Sequence, residues 1–335
     1  MHLRISIAII LLCASTACNQ GRDTEKPHLN EFGFIHKLAT LDKPLPPVQS
    51  GDWLAQHPEN GQTFAEYLYI KPVSPNDSQS VIYLQPIGNF NADQDSIVRA
   101  TADYLHVFFH LETRMLPAIS DTLIPSAGRR TREDGSEQLH TRYILDSILQ
   151  PNIPADAIVV MAVTTKDLYP KDSWNFVFGE AYTKKRTGVS SLHRYYENGR
   201  NNTLCLKRFV KTSSHEISHM FSLLHCTNAI CSMNGTNNLP EADSKPNRLC
   251  SVCLSKLYWN LEFNNAERLS SLKGFFKKHG LESDYQLTDE DLKMCEIVHR
   301  NITSGAYRAG PLSPRHEGAV AWFQSRLRRE AGYPV

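Results

Sequence analysis

Residues 215–253 read HEISHMFSLLHCTNAICSMNGTNNLPEADSKPNRLCSVC, which brings three histidines, Glu216 and four cysteines into one short stretch. No other part of the chain limits the fold as strongly, because side chains that converge on an ion also fix the backbone carrying them. His215 and His219 are four residues apart, so on an α-helix both imidazoles leave one face, a turn apart. Glu216 follows the first histidine, where HExxH metal sites carry their general base. His225, six residues after His219, can close a three-nitrogen set and leave a fourth zinc position open to water. Cys226-x4-Cys231 and Cys250-x2-Cys253 form two knuckles separated by a loop, the layout of a closed structural zinc site. Two disulfides or buried unpaired thiols are the other readings of those four cysteines.

The pattern HExxHxxxxxHCxxxxCxM, followed after sixteen residues by CxxC, resembles the archaemetzincins (archaelysins), a branch of the metzincin zinc peptidases. Two further stretches extend the resemblance: GDWLAQHPENGQTFAEY at 51–67 is similar to an N-terminal segment of the eukaryotic type of that family, and DLYPKDSWNFVFGEAYTKKRTGVSSLHR at 167–194 is similar to the family as a whole. The resemblance implies that His215, His219 and His225 bind a catalytic zinc and that Glu216 is the general base. It implies a second, structural zinc on Cys226, Cys231, Cys250 and Cys253, hence two Zn2+ per chain. Met233 would form the methionine turn beneath the catalytic metal. The implied activity is hydrolysis of peptide bonds in a peptide or protein substrate, with an aminopeptidase as one form of it. The rival from another class is a zinc-stabilised binding protein on the same scaffold that no longer cuts. Its support is Ser222, which stands where metzincins usually carry glycine. A left-handed turn at that position costs a serine roughly 1–2 kcal/mol.

The implied fold is α/β (α+β) and metzincin-like: an N-terminal mixed β-sheet with flanking helices and the zinc-binding helix, then a smaller, mainly helical C-terminal subdomain. The corresponding divisions are a signal peptide at 1–17, a lipid-anchored N-terminus and linker at 18–50, an N-terminal subdomain at 51–225 and a C-terminal subdomain at 226–335. A length of 335 residues with 41% hydrophobic and 21% charged residues suits one or two globular domains. A formal net charge of +1 gives no global basis for nucleic-acid binding and no acidic tail.

Residues 1–18, MHLRISIAIILLCASTAC, have a basic start, a short apolar run and a small-residue end, the parts of a secretory signal peptide. Ser15-Thr16-Ala17-Cys18 resembles a bacterial lipoprotein cleavage box with Cys18 as the lipidated residue. The expected location is the periplasmic face of the outer membrane; ordinary cleavage after Ala17 would instead release a soluble protein. Export favours oxidised cysteines, which stands against the thiolate site, although zinc bound during folding protects its ligands. Cys205 and Cys295 are either free or paired.

Along the rest of the chain, the polar, proline-containing residues 19–50 read as a tether. Trp53, Leu54, Phe64 and Tyr67 read as anchors to the core. Strands are expected at 80–86, 111–116, 157–164, 175–182 and 188–192, the third as a central strand buried on both faces. Phe176 and Phe178 are expected in the core, with a place lining a subsite as the alternative, and 125–135 is expected to be a basic loop. Helices are expected at 93–110, 138–149, 260–279, 288–300 (capped by Thr288) and 315–329. The zinc helix is expected at 204–224, with Leu206, Phe209, Val210, Ile217, Met220 and Leu224 as its buried stripe.

Overall fold

The computed structural model describes residues 25–196 and 201–304. The signal peptide, Cys18 and the tail helix expected at 315–329 lie outside those residues.

The tether reading is overturned for much of its length. Helix α1 (Glu25–Leu38) buries Phe32, Phe34, Ile35 and Leu38. These positions fall on one side of a helix, and the helix packs against two C-terminal helices described below. Directly after it, the Asp42 carboxylate accepts hydrogen bonds from the backbone and hydroxyl of Ser251 and pairs with Arg248. The polar flanks of 31–38 dilute an apolar face that only a partner surface makes legible.

Two short helices follow, α2 (Trp53–Gln56) and α3 (Phe64–Tyr69), the second opened by a Thr63–Glu66 capping box. Strand β1 (Val81–Ile87) leads through Asn91, which caps helix α4 (Ala92–Phe109), to the short strand β2 (Thr113–Met115). Then come β3 (Arg129–Thr131) and β4 (Glu137–His140), and helix α5 (Thr141–Tyr143), which continues as a π-helical segment, Ile144–Leu149. Strands β5 (Ala157–Thr164), β6 (Asp167–Tyr169), β7 (Gly179–Ala181) and β8 (Thr187–Ser191) complete the set. Two expectations are corrected here. The loop at 125–135 holds β3, and the helix at 138–149 begins as strand β4. Both strands exist because they pair with each other, and β4 pairs in parallel with β6; neither carries a local strand pattern.

The main sheet runs β2-β1-β5-β8-β7, parallel throughout except for β7, which lies antiparallel on the edge against β8. All eight residues of β5 are buried, which accounts for its unbroken apolar run. Alternation divides the sheet between two cores: Ile82, Leu84, Val159 and Met161 face the larger one, and Val81, Tyr83, Val160 and Ala162 face the smaller. The π-helical segment covers the smaller core.

Helix α6 (Asn202–Met220) packs against α4 and the β7–β8 edge. After α7 (Leu239–Asp243), three helices close the described chain: α8 (Ser251–Leu261), α9 (Asn265–Lys278) and α10 (Glu282–Thr303). The two helices expected at 260–279 and 288–300 are therefore three. The breaks are left-handed residues, Glu262 at φ 52° and Gly280 at φ 67°. Thr288 is buried inside α10 and does not cap it. These helices share the larger core with α1, α4 and α6. Among the described residues, no helix is long and apolar enough to cross a membrane.

Candidate active site

Helix α6 carries the first two histidines beside the core. Asn201 caps it, and Cys205, Leu206, Phe209, Val210, Ile217 and Met220 are buried along it. It stops at Met220, four residues short of the expected end, so Leu224 is 44% exposed and not part of the buried stripe. The stop is a Schellman motif: the Leu223 N–H donates to Ser218 O at 3.1 Å and the Ser222 N–H to His219 O at 2.8 Å. Ser222 occupies the left-handed position at φ 70°. It is held there by its own side chain, because Oγ donates to Thr183 O at 2.9 Å and accepts from the Val73 N–H at 3.2 Å. Glycine at this position makes neither bond.

The turn brings His225 back to the helix, and one ring nitrogen from each of His215, His219 and His225 lies within 4.8 Å of the others. Nδ1 of His215 donates to Ser232 O at 2.8 Å, and Nδ1 of His219 donates to Leu223 O at 2.7 Å. Carbonyls only accept, so each Nδ1 carries the proton and each Nε2 is a bare lone pair. Those two lone pairs stand 3.0 Å apart. That spacing repels in a bare pair and suits two ligands at 2.0–2.1 Å from one zinc ion. Burial lowers both rings, with the neighbouring histidines adding to it: His215 falls well below its ordinary value and His219 to about 3. Neutral imidazoles are the form that binds metal.

Glu216 is buried under the edge strand. Burial, with Glu180 as a smaller cause, raises its carboxyl to about 8; a dication beside it would reverse that shift. Gly179 of β7 makes room for it. A Cβ at Gly179 would lie 2.7 Å from Cγ of Glu216 and 2.8–2.9 Å from its carboxyl group.

These groups open onto a cleft of about 840 Å³. The edge strand expected at 175–182 is shorter, and Phe176 and Phe178 are half-buried on the cleft wall, Phe178 packing at the same time against the larger core. Phe178 stacks on Tyr195, and the Arg194 guanidinium lies 3.5 Å from the Phe176 ring centre. Of the four expected anchors, Tyr67 alone is buried. Trp53 lines the cleft instead, edge-on to His225 at 5.1 Å, and His57 stacks on Trp174 at 5.3 Å. Glu59, Trp53, His57 and Trp174 are the neighbours that sequence reasoning missed. For Trp53, His57 and Glu59 the one signal was the density of aromatic, histidine and acidic residues in 51–60, which names no partner; Trp174 lies outside that stretch.

All four sulfurs of Cys226, Cys231, Cys250 and Cys253 lie within 4.8 Å of one another, buried and free. Cys226 and Cys250 are 3.6 Å apart, close to the separation of two thiolates at 2.3 Å from one ion and far from a disulfide. Hydrogen bonds from the other three thiols lower Cys226 strongly. The Cys231 sulfur accepts the N–H of Met233 and of Cys250. Cys205 and Cys295 are free and buried elsewhere. Met233 is fully buried, and its carbonyl accepts the Cys226 N–H at 2.8 Å. The Asn234 side chain ties the same turn to Cys226, Ala229 and Cys231.

Residues 138–258 match the model of peptidase family M54. Archaemetzincin-2 of Rattus norvegicus is 32% identical over 268 residues, 69% of this chain and 74% of the relative. Archaemetzincin-2 of Homo sapiens is 32% identical over 257 residues, 66% of this chain and 71% of the relative. The crystal structure of an archaemetzincin from Methanopyrus kandleri aligns with 56% of this chain and 99% of its own at 26% identity and a TM-score of 0.47. On the extent and identity of the sequence matches, the chain belongs to the archaemetzincins, the zinc metallopeptidases of peptidase family M54.

Proposed function

We propose that His215, His219 and His225 hold the catalytic zinc of a peptide hydrolase in which Glu216 is the general base. The observation that carries this reading is the pair of Nε2 lone pairs facing each other at 3.0 Å, with both Nδ1 protons committed to carbonyls. A zinc ion held by His215, His219 and His225 would supply a Lewis acid and would lower the pKa of a bound water to about 7. Glu216, in the space left by Gly179, accepts the proton of the attacking water and hands it to the leaving amine. The free edge of β7 offers backbone groups to an extended substrate, as in β-augmentation. Cys226, Cys231, Cys250 and Cys253 hold a second, structural zinc, and Met233 is the methionine turn.

The non-cutting rival rested on Ser222, and the two hydrogen bonds of its hydroxyl remove that ground. The test is Glu216→Gln. The variant keeps two zinc ions per chain by elemental analysis and loses hydrolysis of a peptide library. Full turnover by it would refute the role of Glu216.

The proposal extends to the N-terminus, with 1–17 as leader and Cys18 as the lipidated residue, which puts the enzyme at the periplasmic face of the outer membrane. Only residues 19–24 separate Cys18 from α1. Fully extended they reach about 20 Å, so the catalytic body would sit close to the bilayer. Labelling with a tagged fatty acid that survives Cys18→Ser would refute the anchor.

A further inference from the structure

Lys211 lies on α6 one turn before His215, about 6 Å along the helix, and lines the same cleft. Its side chain is 7% exposed, and its ammonium donates to the carbonyls of Ala242 and Lys245. An ammonium has three donors, so one is left for a ligand. Lys245, half-buried, lines the cleft at the same end. Among the described residues, no carboxylate lies within 4.0 Å of either ammonium. The two acids whose charge Lys211 feels are engaged elsewhere, Asp243 with Arg208 at 2.6 Å and Asp284 with Lys207 at 3.5 Å. The acids on the cleft wall are Glu216 and Glu180, and Glu180 is paired with Arg142 at 3.5 Å. Burial lowers Lys211 to about 8, which still leaves it mostly charged at neutral pH. A buried cation whose two nearby acids are both shared with other cations is only partly compensated, and such a group on a cleft wall marks a binding position.

We propose that Lys211, backed by Lys245, is a specificity-determining residue that selects peptides carrying a carboxylate one or two residues from the bond to be cut. The one helical turn between the Lys211 and His215 backbones, about 6 Å, is comparable to one or two residues of extended chain. An acidic side chain and a free C-terminus present the same group, and the site reads the group. This inference rests on the peptidase reading above, and it has a readout of its own.

The experiment measures binding to the wild-type, zinc-loaded protein by calorimetry, with hydrolysis followed by mass spectrometry in the same samples. One peptide pair differs by Glu against Gln, both amidated at the C-terminus; a second pair is neutral and differs by free acid against amide. The acid form of at least one pair binds about tenfold tighter or more, and the pair that discriminates names the source of the carboxylate. In Lys211→Met the acid-to-amide ratio falls towards one. Were Lys211 only a staple between α6 and the 242–245 turn, its loss would weaken both members of a pair equally and leave the ratio intact. Equal binding of acids and amides by the wild type overturns the inference whether or not the variant folds. Discrimination without any hydrolysis would leave the anion pocket standing and overturn the peptidase reading instead.

Discussion

Glu59 accepts a hydrogen bond from Nδ1 of His225 at 2.9 Å, although 166 positions separate the two residues. The Nε1–H of Trp53 donates to the same carboxylate at 3.1 Å. Burial pushes Glu59 up, but the bond and charge of His225 outweigh it and hold the carboxyl below its ordinary value. His215 and His219 are oriented by backbone carbonyls, whereas His225 depends on this carboxylate from the N-terminal segment.

Glu59→Ala should therefore loosen the third histidine. Such outer partners are worth about 10–100-fold in metal affinity. Competition with a zinc-binding dye should show that fall for one ion per chain, with the cysteine-bound ion unaffected. An unchanged affinity would mean that His225 needs no such support.

Gly179→Ala puts a methyl group 2.8–2.9 Å from the Glu216 carboxyl group and 2.7 Å from its Cγ. The carboxylate must move, and a displacement of about 1 Å costs on the order of a hundredfold in rate. The expected result is a large loss of kcat with zinc content and melting temperature near those of the wild type. Retained kcat would show that Glu216 tolerates the displacement.

Ser222→Ala keeps the left-handed strain and removes the hydroxyl that satisfies Val73 N–H and Thr183 C=O. Leaving those partners without it should cost about 1–3 kcal/mol. Ser222→Gly loses the same bonds but relieves roughly 1–2 kcal/mol of strain. Thermal denaturation should rank wild type and Ser222→Gly close together, with Ser222→Ala clearly below. An alanine variant as stable as the wild type would remove the role given to the hydroxyl.

The two zinc ions proposed above should leave separately. A mild chelator should take the zinc of the cleft, whose ligands are half-buried, and stop hydrolysis without unfolding the protein. A mercurial that captures the buried thiols should release the second zinc and unfold the region around α8, because Cys250 caps that helix and Cys253 lies in its first turn. Activity should fall as well, since Ser232, whose carbonyl holds His215, sits between Cys231 and Met233 on the same turn. Zinc analysis and circular dichroism on the same samples check both steps. Simultaneous loss of both ions would refute the separation.

What the sequence determined by itself is local. The four-residue spacing of His215 and His219 is the period of a helix, the paired cysteines are spaced for one ion, and the apolar run of β5 has nowhere to go but a buried strand. Each of those signals lies within a few turns of chain, so residue type and spacing suffice. Tertiary structure decided the rest: Glu59 beneath His225, Gly179 against Glu216, Trp53 on the cleft wall, and α1 packed where a tether was expected. None of these residues has a neighbour in sequence that announces its partner. Their meaning depends on packing that lays α1 on α8 and α10, brings Trp53 and Glu59 to His225 and sets 179–181 against α6, and a contact between distant segments leaves no periodic trace in either one.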